Sequence, residues 1–177
     1  LLRLLAAEDE EAGALARESL DRYKEVTMLY SLSEKIIGAT DPGGIAQVLC
    51  DETARFLGCD SVAVLLLNPE TSRLEIVAGR GDPFHDRAAR EIEDDIVASV
   101  LRSGIGEIVN DVGADPRSLA ARNDLRSIVC SPLRSHDRVF GVLVAGSRAW
   151  REFSAGELQA INSITAHAAA AIEAARL

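Results

Sequence analysis

Few residues in this chain can do chemistry, and they are scattered. The cysteines are Cys50, Cys59 and Cys130, and the histidines are His85, His136 and His167. A reactive thiol needs a cation, a histidine or a helix start beside it to lower its pKa. The stretch "RSIVCSPLRSHDRVFGVLVAG" (126–146) places no such group beside Cys130. There the sequence asks for a small apolar residue, a role free cysteine fills well. No cysteine pair has metal-site or redox spacing, and the odd number favours free thiols in a reducing cytoplasm. The histidines lie far apart and match no metal pattern such as His-Glu-x-x-His. Four carboxylates gather in "EIEDD" (91–95), but at helical spacing they point in several directions and read as a solvated face. "SGIGE" (103–107) lacks the spacing of a phosphate loop and reads as a helix stop. No catalytic residue, metal or cofactor is expected. His85 alone, in a loop, could face a ligand.

The elements that would position such residues are clearer. Apolar residues recur at helical spacing over 14–37. A longer 3-4 pattern at Leu2, Leu5, Ala12, Ala16, Tyr23, Val26, Tyr30 and Ile37 makes a coiled-coil seam possible. Residues 1–23 are expected as a linker helix and 24–177 as the domain proper. The next helix is capped by Asp41, begins at Pro42 and stops at Gly58. Its buried stripe is Ile45, Val48, Leu49, Phe56 and Leu57. "SVAVLLLN" (61–68) is apolar throughout, as a strand buried on both faces requires, and "RLEIVAGR" (73–80) returns as its hairpin partner. A helix is expected over 88–104, a short strand over 106–112 and a short helix or turn after it. Two strands, "SIVCSPLRS" and "RVFGVLVAGS", form a tight hairpin. A last helix is capped by Ser154 with Glu157 three residues on. Its buried face is Leu158, Ile161, Ile164, Ala168 and Ile172. Short turns between successive strands imply a largely antiparallel sheet, with helices covering one face in an α+β sandwich.

Composition narrows the function. The 177 residues carry a formal net charge of −9, with 47% hydrophobic and 4% aromatic residues. An acidic chain repels nucleic acid and anionic lipid, so neither is an expected partner. The longest apolar run, 62–67, is too short to span a membrane, and the first residues lack a leader pattern.

Four segments, in order, resemble the GAF family of small-molecule sensor domains: "LYSLSEKIIGATDPGGIAQVLCDETARFLGCDSVAVLLLN", "EIVNDVGADPR", "RSIVCSPLRSHDRVFGVLVAG" and "FSAGELQAINSITAHAAAAIEAA". The resemblance spans roughly 24–176. It implies a GAF-like (profilin-like) six-stranded, mainly antiparallel sheet, terminal helices on one face and a pocket on the other. It also implies a sensory or regulatory role in a cytoplasmic signalling protein, pairing into a homodimer through the terminal helices, and relay to an output domain outside this chain. Cyclic-nucleotide binders of the family carry Asn-Lys, then Phe-x-x-x-Asp-Glu; here those positions are Ser147, Arg148, Phe153, Glu157 and Leu158. No cysteine precedes a histidine, as a covalent bilin would require, and a haem would have only His85 for an axial ligand. The expected pocket residues are Val62, Val64, Ile96, Val100, Asp111, Ser127, Val129 and Val144, with Asp111 and Ser127 giving polar contacts to an unidentified small molecule. Strand alternation sets which of these residues share a face, and a one-residue shift turns every strand side chain over. Two rivals remain: a ligand-free dimerisation module, and a cysteine-using enzyme resembling the family's methionine sulfoxide reductases.

Overall fold

The computed structural model describes residues 1–81, 95–117 and 124–177. Helix α1 (Leu2–Ile36) is continuous across the expected boundary at residue 23, and at 35 residues it is roughly 50 Å long. Helix α2 (Pro42–Leu57) starts as expected: the Asp41 carboxylate accepts from the Gly44 N–H at 3.1 Å, and Gly58 ends it in the left-handed conformation. Strands β1 (Ser61–Leu67) and β2 (Leu74–Arg80) form the first hairpin. Helix α3 (Ile96–Ser103) is capped by Asp95; the rest of the helix expected from residue 88 lies outside the described residues. Strand β3 (Glu107–Val109) follows, then β4 (Ser127–Ser135), β5 (Arg138–Ser147) and helix α4 (Ala155–Arg176). A full capping box starts α4: Ser154 Oγ accepts from the Glu157 N–H, and the Glu157 carboxylate accepts from the Ser154 N–H.

The five described strands run in the order β2-β1-β5-β4-β3, every pair antiparallel. That is one strand fewer than the resemblance implies. Strand β3 is also shorter than expected, because Asn110 leaves the ladder. Its Oδ1 accepts from the Phe153 N–H at 2.8 Å and its Nδ2 donates to the Phe153 carbonyl at 3.2 Å.

Two apolar layers enclose the sheet. On one face α1, α2 and α4 contribute Met28, Leu32, Leu49, Leu57, Ile161 and Ile164, packed on Val62, Val64, Val129, Leu143 and Ala145. On the other face α3 packs Ile96, Val97 and Val100 on Ala63, Leu65, Ile128, Cys130, Val142 and Val144. Burial of this kind is the main driving term for the fold. The buried stripes read from the sequence of α2 and α4 face the first layer, with Val48, Phe56 and Leu158 at its margin.

A buried charge fastens α1 to α2. Glu52 is 3% exposed and accepts hydrogen bonds from Lys35 of α1 and, at 2.7 and 2.9 Å, from Arg55. Burial alone would raise its pKa. The hydrogen bonds from Lys35, Ser31 and Arg55 together outweigh that and hold the carboxyl below its usual range. Among the described residues no helix is long and apolar enough to cross a membrane.

Candidate functional site

The candidate site is the sheet face under α3. Its floor comes from alternate residues of the central strands. Cys130 of β4 pairs with Val144 of β5, and Ala63 and Leu65 of β1 pair with Val144 and Val142. Helix α3 lies over them, oriented at its start by the Asp95 carboxylate, which accepts from the Ala98 N–H at 2.9 Å. Gly104 ends the helix at φ +66°, and its carbonyl accepts from Arg134 Nη2 at 3.0 Å.

A charged network holds α3 against β3. The Arg117 guanidinium donates to Glu107 Oε2 at 2.9 Å, Ser99 Oγ at 3.0 Å and both oxygens of Asp115 at 3.0 and 3.2 Å. Ser99 Oγ donates to Glu107 Oε1 at 2.8 Å. Hydrogen bonds from Arg117 hold the Asp115 carboxyl below its usual range, and those to Asp115 and then Glu107 keep the guanidinium protonated. Sequence reading missed this latch, because its members come from three separate segments.

The expected pocket residues divide between the faces. Ile96, Val100 and Val144 meet on the α3 side. Val62, Val64 and Val129 do not: they point into the layer covered by α1, α2 and α4, so their placement at the pocket is corrected. Their true counterparts under α3 are Ala63, Leu65, Ile128 and Cys130. The cause is the strand composition, apolar on both sides, which leaves no alternation to fix the register of inside and outside. Ser127 is buried in β4 at the same parity as Val129, and its Oγ has no hydrogen-bond partner among the described residues. Asp111 is exposed and shapes a turn, its Oδ1 accepting from the Ala114 N–H at 3.1 Å. His85 and the cluster at 91–94 lie outside the described residues.

The thiols are separated by the sheet. Cys50 lies in the helical layer, Cys59 packs at its edge and Cys130 faces α3. Burial pushes the Cys50 thiol up to about 12, with Asp51 adding to the effect. Burial likewise raises Cys59 to about 11, against a smaller opposing pull from Arg151. Neither is a thiolate at neutral pH, and none of the three is in a disulfide. The positions matching the cyclic-nucleotide motif have structural work instead. Ser147 Oγ donates to Asp60 at 3.3 Å, Phe153 binds Asn110 through its backbone, and Glu157 serves the capping box and accepts from Arg151 at 2.6 Å.

Three solved structures of similar fold span most of the chain. The GAF domain of an Acinetobacter phosphoenolpyruvate-protein phosphotransferase matches at TM-score 0.76 and 16% identity, over 86% of this chain and 94% of its own. A free methionine-R-sulfoxide reductase from Neisseria meningitidis, solved with its substrate, matches at 0.77 and 20%, over 86% and 90%. A GAF domain/HD domain protein from Geobacter sulfurreducens matches at 0.67 and 17%, over 80% and 97%. At these identities the likeness shows the fold alone. No match was found among curated proteins. The GAF domain family model covers residues 39–173, most of the chain and all five described strands, and the chain belongs to the GAF domain family.

Proposed function

We propose that this chain is a non-catalytic regulatory module that pairs with a second copy through α1 and relays a state of the α3 face along α4. The observation that carries the reading is the two-sided character of α1. Met28 and Leu32 are buried against the domain. Val26, Tyr30 and Ile37 lie on the opposite side and are 60%, 65% and 84% exposed, and Tyr23, 69% exposed, stands at the edge of the groove between α1 and α2. These are the positions of the 3-4 seam, an apolar stripe that a single copy leaves in water. Helices α1 and α4 run in the same direction. Residues 14–25 border the start of α4, and Ser33 Oγ meets His167 Nε2 at 3.0 Å further along. A parallel pair of α1 helices therefore sends both copies of α4 out at the same end, as relay to an output domain requires.

The input is an unidentified small molecule at the α3 face, which shifts the relay only by binding two arrangements with different affinity. The separation of the three thiols, with Cys50 and Cys59 raised by burial, supports a regulatory role over a cysteine-relay enzyme. The close packing of Ile96 and Val100 on the sheet supports the second reading, a dimerisation module without ligand. Light scattering tests the pairing: a dimer is expected at tens of micromolar, and a strict monomer contradicts the proposal. Native mass spectrometry of the purified protein separates the two readings. A retained small molecule supports the sensor, and a bare dimer supports the ligand-free module.

A further inference from the structure

We infer that Ser131, Thr165 and Asn162 form a two-position hydroxyl relay that passes displacements of β4 to the second half of α4. The inference rests on the reading of α4 as the output element. Ser131 and Thr165 are both 0% exposed, in an otherwise apolar contact between the sheet and the helix. Ser131 Oγ lies 2.7 Å from Asn162 Oδ1 and 2.7 Å from Thr165 Oγ1. Thr165 Oγ1 also lies 2.9 Å from the Ile161 carbonyl and 3.0 Å from that of Asn162.

Each hydroxyl has one proton, and that limits the arrangements. In the first, Ser131 donates to Asn162 Oδ1 and Thr165 donates to Ser131, so the threonine proton points away from the carbonyls of its own helix. In the second, Ser131 donates to Thr165, Thr165 donates to the Ile161 carbonyl and Asn162 Oδ1 loses the serine. A third pattern, with both hydroxyls donating elsewhere, leaves two oxygens 2.7 Å apart with no proton between them. The two consistent positions differ in whether threonine bonds to the carbonyl four residues back, a bond that bends helices. They therefore correspond to a straighter and a more bent α4 beyond Thr165.

The surroundings suit such a device. Cys130, one peptide unit before Ser131, faces α3 from the other side of the sheet. A shift of β4 caused there reaches Ser131 directly. The start of α4 is pinned by the two hydrogen bonds between Asn110 and Phe153, so a change at Thr165 is expressed beyond it, where Ser135 Oγ of β4 donates to Glu173. Gly106 keeps space open at the acceptor: a Cβ there would lie 2.7 Å from Asn162 Oδ1.

Amide hydrogen exchange on the intact chain tests the relay without any ligand. Cys130→Ala perturbs the α3 face. In the otherwise native chain it is expected to change exchange at 166–176 by about fivefold, the lower range of allosteric coupling, while 158–162 change less than twofold. Thr165→Val, which keeps the shape and removes the hydroxyl, is expected to abolish that transmitted change, and Thr165→Ser to preserve it. General destabilisation would move both halves of the helix together. Where Thr165→Val does not fold, Asn162→Ala removes the competing acceptor and must abolish the transmitted change as well. The inference is overturned if Cys130→Ala leaves 166–176 unchanged in the native background. It is equally overturned if the change survives removal of the hydroxyl or of its competing acceptor, or if serine does not restore it. Pairing through α1 is measured separately, so failure of the relay leaves the dimer result standing.

Discussion

Glu52→Gln should loosen the attachment of α1 to the domain. The carboxylate is nearly fully buried, while its partners Lys35 and Arg55 are 45% and 62% exposed at their side chains. Removing one member of a buried ion pair costs roughly 3–5 kcal/mol when the other is left stranded. Here both cations can turn to water, and glutamine keeps one acceptor, so the expected cost is about 2 kcal/mol. For a domain of this size that lowers Tm by roughly 4–8 °C. The difference should also depend on pH in a definite direction. Folded Glu52 has a pKa below its ordinary value of 4.5. Its stabilising contribution is therefore complete above the unfolded value and is lost as pH falls through the folded one. Urea unfolding of both proteins at pH 7, 5, 4 and 3.5 measures this. The gap should be constant from pH 7 to 5 and narrow only below about 4.5. A gap under 0.5 kcal/mol at pH 7, or one unchanged down to pH 3.5, refutes the reasoning.

Two further expectations concern the sheet and the thiols. Gly141 faces Leu66 of β1, and a Cβ there would lie 2.5 Å from the Leu65 carbonyl oxygen and 2.7 Å from Leu66 Cδ2. Gly141→Ala should thus cost about 1–3 kcal/mol by forcing β1 and β5 apart, and an unchanged thermal melt argues against that packing. Cys50, with its thiol raised to about 12, should resist a thiol reagent at pH 8 in the folded protein and react once urea unfolds it; rapid labelling of native Cys50, located by peptide mapping, would contradict its placement.

Much of this was legible in the sequence, for identifiable reasons. Capping chemistry at Asp41 and Ser154 located two helix starts, and the two-residue turn at 136–137 fixed the β4–β5 hairpin. The 3-4 apolar spacing of α1 was legible only in part, because Asp9, Ser19 and Ser33 fall on it and Gly13 interrupts it. The faces of the central strands were not, since β1 reads "SVAVLLL" and buries both sides. A parity error there placed Val62, Val64 and Val129 in the wrong layer. Glu52 left a usable trace, a charge among the buried positions of α2 between Leu49 and Phe56. The Arg117 latch and the Ser131–Thr165 contact left none, because each joins segments far apart in the chain.

Cross-linking through α1 tests the central claim most directly. Tyr30 lies on the exposed seam, whereas Lys24 lines the groove between α1 and α2. In a parallel, in-register pair, Tyr30→Cys should form a disulfide to its own counterpart on mild oxidation, and Lys24→Cys should not. Equal cross-linking of the two variants, or none with Tyr30→Cys, would contradict the proposal that two copies meet along this helix.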